Sequence, residues 1–124
     1  MDIFDSEPEI NFDHLNQYVG GDISLTKEVF GLFKNQIDMW EKQLVPDADD
    51  SVWSALTHSL KGTARAIGAM KLAESCEKAE GLIGEGRRIS ARQVAVDNLE
   101  TRIDRALAEI NRWEYHQKIN AIRS

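Results

Sequence analysis

The chain has 124 residues, enough for one domain with a sizeable core, and 42% of them are hydrophobic against 29% charged, ordinary proportions for a soluble globular protein. A formal net charge of −6 argues against a nucleic acid or an anionic membrane as partner, since both would repel the surface, and the one candidate basic patch, Arg87–Arg88, reads as a solvated helix end. The lone cysteine, Cys76, fits a reducing compartment, no apolar run approaches the ~20 residues of a membrane span, and the acidic opening MDIFDSEPEI lacks a leader pattern, so the expected location is the cytoplasm.

Residues 1–10 read as a flexible acidic lead and residues 11–120 as a single domain. Asn11 is placed to cap a short helix over Phe12 to Val19, which Gly20-Gly21 ends. Asp22 caps a long helix reaching about Leu44, with a seam of Ile23, Phe30, Phe33, Ile37, Trp40 and Leu44. Val29, Leu32 and Met39 widen that stripe, so the helix is expected to touch more than one neighbour. After a turn over Pro46 to Asp50, a third helix spans about Ser51 to Ile67 and Gly68 breaks it. A fourth is expected from about Ala69 to Glu85, with Leu72, Cys76, Ala79 and Ile83 on one side. Ser90 and Gln93 have capping-box spacing ahead of a last helix carrying Val94, Leu99, Ile103, Leu107 and Ile110 to about Ile119. Strand-like alternation, internal repeats and low-complexity runs are absent from the sequence. The pattern predicts an all-α protein: an antiparallel up-and-down four-helix bundle with a short extra N-terminal helix.

The chemistry concentrates in His58-Ser59-Leu60-Lys61-Gly62-Thr63-Ala64-Arg65-Ala66-Ile67-Gly68. At 100° per residue, Trp53, Leu56, Leu60, Thr63 and Ile67 share one side of the third helix, and His58 falls on the other with Ser51, Ser54, Ala55, Lys61, Gly62 and Arg65. Gly62 lies one turn after His58, where glycine costs about 1 kcal/mol relative to alanine. The missing side chain clears space beside the imidazole, and Lys61 projects an ammonium over the same ground. An open imidazole beside a cation suits a phosphoryl group. The nucleophilic nitrogen needs its lone pair, so the other ring nitrogen carries the proton and needs an acceptor. Glu80, at the edge of the apolar stripe of the fourth helix, is the candidate acceptor. His14 and His116 have no comparable setting. Taken singly, a helical surface histidine, Arg65 and Glu80 each read as solvated residues; the joint spacing is what points to a site.

The segment His58-Ser-x-Lys61-Gly62-x-x-x-x-Ile67-Gly68 resembles the signature of histidine-containing phosphotransfer (HPt) domains, and the resemblance covers nearly the whole chain. It implies a four-helix bundle, phosphorylation of His58 on its outward nitrogen, assistance from Lys61 and clearance at Gly62. Many members carry glutamine where this chain has Glu80; the phosphoacceptor domain of chemotaxis histidine kinases resembles this chain in carrying glutamate. The implied partners are the receiver domain of a hybrid histidine kinase upstream and a response-regulator receiver domain downstream. Docking is expected on Ser54, Ala55 and Arg65, with Phe12 and Leu15 of the short first helix. The sequence offers no nucleotide loop or acidic triad, so no cofactor is expected on this chain and the partner receiver supplies Mg2+. The protein is expected to be a monomeric carrier acting in trans rather than an enzyme. Two rivals stay open at this point: a non-transferring helical adaptor for receivers or kinases, and a phosphatase using His58 as a covalent intermediate.

Overall fold

Asn11 sets the first helix in place: its side-chain oxygen accepts the backbone N–H of His14 at 3.1 Å, and α1 runs over Phe12–Val19. Gly20 closes α1 at φ 60°, a left-handed conformation that costs a residue without Cβ nothing. Asp22 then accepts the Leu25 N–H at 3.0 Å and starts α2, Ile23–Gln43. The computed structural model describes residues 8–86 and 88–123, and the remaining elements are α3 (Asp50–Ala66), α4 (Met70–Glu80), a 3-10 turn (Gly84–Gly86) and α5 (Ile89–Arg123). Among the described residues there is no strand.

α2 to α5 pack in sequence as antiparallel neighbours, and α5 closes back on α2. The core between them holds Phe30, Phe33, Ile37 and Trp40 from α2, Trp53 and Leu60 from α3, Leu72 and Cys76 from α4, and Leu99, Ile103 and Ile110 from α5. Two parts of the α2 seam depart from expectation. Ile23 is exposed because it is the first residue of α2, and Leu32 and Met39 are exposed because they lie off the face that α2 turns to α3 and α5, where no described residue covers them.

On α3 the buried positions are Trp53, Thr57, Leu60 and Ala64, continued by Ile67 at its C-cap. The expected stripe used Leu56 and Thr63, so the true core face is turned by about 40°. Thr57 is accommodated because its hydroxyl donates to the Trp53 carbonyl at 2.9 Å. Trp53 in turn donates its indole N–H to the Ala79 carbonyl at 2.7 Å, fixing α4 against α3.

α4 stops at Glu80, short of the expected Glu85, and Gly81 is its C-cap. Leu82 turns inward while Ile83 is left exposed. α5 is already helical at Ile89, so Ser90 is not a cap, and Gln93 donates instead to Asp97. The helix also outlasts the expected end near Ile119. The early start is explained by Arg92, which is 0% exposed. Its guanidinium donates to the carbonyls of Leu82, Pro46 and Ala48, pairs with Asp50 at 2.8 Å, and lies 4.5 Å from the Trp53 ring centroid. One buried cation therefore joins the α2–α3 and α4–α5 connections. Arg87 lies outside the described residues.

The lead is more ordered than expected at its end. Glu9 and Ile10 are buried; their backbone N–H groups both donate to the Glu109 carboxylate, and Glu9 pairs with Arg102 at 2.9 Å. Residues 1–7 of the expected flexible lead lie outside the described residues.

Candidate functional site

His58 sits on the exposed side of α3, one residue past buried Thr57. The rotation of the core stripe turns its ring toward α4 rather than directly away from the bundle. The His58 side chain is 76% exposed, and its Nδ1 lies 3.2 Å from Glu80 Oε1. A carboxylate only accepts, so in the neutral ring the proton is on Nδ1 and the lone pair is on Nε2. The inferred Glu80 contact is thus present, and with Nδ1 donating to it the lone pair is left on Nε2.

Lys61 is placed differently from expectation. Its ammonium is not spread over the ground beside His58 but bound to Glu80 Oε2 at 2.9 Å, with the side chain only 14% exposed. Glu80 therefore bridges Lys61 and His58 and links α3 to the end of α4. Burial pushes the Glu80 carboxyl up, but the hydrogen bond and charge of Lys61, followed by those of His58, more than offset it, and the pKa is held below the ordinary glutamate range. Beneath it, burial first and the Glu80 charge second push the Cys76 thiol up to about 12, so Cys76 is an inert core residue.

Gly62 is exposed, and a Cβ there would have nothing within 4 Å. Among the described residues nothing requires a glycine at this position. The family model for the Hpt domain matches residues 31–113. The chain belongs to the Hpt family. An Hpt relative of known structure, the histidine phosphotransferase ShpA from Caulobacter crescentus, superposes with a TM-score of 0.73 at 27% identity, over 92% of this chain and 98% of that one. None of the curated proteins matches the sequence. The matched Hpt segment contains His58, Lys61, Gly62 and Glu80, which the fold gathers into one site.

The expected docking residues of this Hpt domain divide. Ala55 and Arg65 are exposed on the His58 side of α3 and Ser54 is half-buried. Leu15 is 0% exposed, so it is a core residue and leaves the docking set. Phe12 is half-buried, its ring edge-on to Phe30 at 6.2 Å. α1 is fastened at Gly68, where Asn11 N–H donates to the Gly68 carbonyl at 2.9 Å. Gly68 lies ten positions past His58, just beyond the C-terminal end of α3.

A surface that sequence reasoning missed lies on α2. Thr63 of α3 donates to Gln36 of α2 at 2.8 Å. Leu32 and Met39, four before and three after Gln36, share that side of α2 and are 59% and 61% exposed. The signal was present as a stripe too wide for one neighbour. Among the described residues no group of three or more His, Cys, Asp or Glu gathers to hold a metal ion, and no helix is long and apolar enough to cross a membrane.

Proposed function

We propose that this protein is a phosphorelay intermediate that takes a phosphoryl group from the aspartyl phosphate of a hybrid-kinase receiver onto His58 Nε2 and passes it to the receiver of a response regulator. The observation that carries this reading is an exposed imidazole whose Nδ1 is held by Glu80, next to a side-chain-free position at Gly62. Phosphoryl transfer between such groups depends on positioning and on neutralising oxygen charge, both of which a helix face can supply to a partner's active site. Mg2+ enters with the receiver, the carrier works as a monomer, and the cytoplasm is where such partners meet it.

Docking spreads from Ser54, Ala55, Gly62 and Arg65 of α3 across the Thr63–Gln36 contact onto Leu32 and Met39 of α2. Exposed apolar side chains beside a reactive group are typical of a surface that another protein covers. α1 contributes indirectly, by bracing α2.

Incubation with a phosphorylated receiver domain tests the proposal. The native chain should acquire acid-labile phosphate, and His58→Gln should acquire none while keeping its helical circular dichroism. Undiminished label in His58→Gln would remove His58 from the reaction.

A further inference from the structure

Glu80 carries one negative charge and serves two donors, Lys61 Nζ at 2.9 Å and His58 Nδ1 at 3.2 Å. With the ring in the neutral form that nucleophilic attack requires, the carboxylate and the ammonium cancel. Loading His58 changes that balance. The Nε2 lone pair forms the N–P bond while the donor's P–O bond breaks, and its electron pair leaves on the donor carboxylate. Nδ1 keeps its proton, so the ring becomes a cation. The phosphoryl group adds a charge of about −2 on the other side of the ring.

Both new charges act on the same ion pair. A cationic ring strengthens the Glu80 contact at Nδ1, and a dianion one turn from Lys61 competes with Glu80 for the ammonium. Glu80 need not move, because Oε1 already faces Nδ1. Lys61, three residues from His58, has a flexible four-carbon stem, and Gly62 beside it has nothing within 4 Å to block a swing. We propose that Glu80 exchanges partners on phosphorylation: at rest it holds Lys61, and in the loaded protein it holds the His58 ring alone while Lys61 moves to the phosphoryl oxygens. The inference rests on the phosphotransfer reading. Its consequence is that a partner meets a different face before and after loading, with Lys61 tucked against α4 in one state and outward in the other.

Potassium phosphoramidate, a small donor that bypasses any receiver, loads the full chain for the test. Lysine ammonium 15N resonances are recorded for the native chain and Glu80→Gln, resting and loaded, with Lys61→Met used to assign the signal. Glu80→Gln should shift the Lys61 resonance in the resting chain and leave it in place in the loaded chain. Lys61→Met should move the 31P signal of the phosphohistidine. An equal Glu80→Gln shift in both states, or a 31P signal indifferent to Lys61→Met, overturns the exchange while leaving phosphotransfer intact. Failure of phosphoramidate to label His58 defeats both.

Discussion

A methyl group at Gly62 would meet nothing within 4 Å, whereas one at Gly68, where φ is +81°, would meet the Asn11 carbonyl oxygen at 2.5 Å. The two glycines of the His58 motif thus answer to different demands. Gly68 is where the chain before α1 crosses the α3–α4 corner, and a side chain there would push Asn11 away and strain the backbone. Gly62 weakens its helix with no return inside the molecule. Gly62→Ala is therefore expected to raise stability by about 1 kcal/mol, and Gly68→Ala to lower it by about 1–3 kcal/mol, both read from urea unfolding midpoints. Gly62→Gln should keep its helicity and slow transfer from a phosphorylated receiver at least about tenfold, a loss of about 1.4 kcal/mol; an unchanged rate would refute the clearance role. Glu80 gives a pH prediction. Its carboxyl is held low in the folded chain, so the folded state gains from the ionised form above the ordinary glutamate value of about 4.3, and the gain is lost as pH falls through the lower native value. Glu80→Gln should flatten the stability profile across that acid window and leave its slope near neutrality unchanged.

Among the elements, those with a side-chain cap were legible. Asn11 and Asp22 cap α1 and α2 where the sequence placed them, because each satisfies a first-turn N–H through its own side chain. The boundary between α4 and α5 was not legible, since it is set by contacts distant in sequence. Ser90 and Gln93 have capping spacing, yet Arg92 draws the start of α5 onto carbonyls of Leu82, Pro46 and Ala48, and the helix begins before Ser90. The face of α3 was misjudged by a similar cause. Thr57 and Ala64 look too polar or too small to define a core, but the Thr57 hydroxyl is satisfied locally and Ala64 is fully buried. The resulting turn of the helix is what brings His58 within reach of Glu80. Arg92 should accordingly be the most sensitive charged position. Arg92→Met leaves three backbone carbonyls and Asp50 without this donor, and is expected to cost about 3–5 kcal/mol, measured by denaturant unfolding. A loss below about 1 kcal/mol would mean that the two connections do not depend on it.

At the scale of the whole molecule, the sequence showed the centre of the His58 face better than its edges. His58, Lys61, Gly62 and Arg65 follow from spacing on one helix. The edges depend on which helix flanks α3, and only the packed structure decides that: α1 buries Leu15 in the core, while α2 leaves Leu32 and Met39 uncovered beside Gln36. A partner seated over His58 and extending to α2 would bury both. Because neither side chain packs in the core, Leu32→Glu with Met39→Glu should change stability by no more than about 0.5 kcal/mol each. The same pair introduces two negative charges on the apolar side chains that the proposed docking has a receiver cover. Transfer from the phosphorylated receiver should fall at least about tenfold, while labelling by phosphoramidate, which needs no docked protein, should proceed at the native rate. If both donors slow together, the substitutions have disturbed His58 itself; if neither slows, receivers approach from the α4 side.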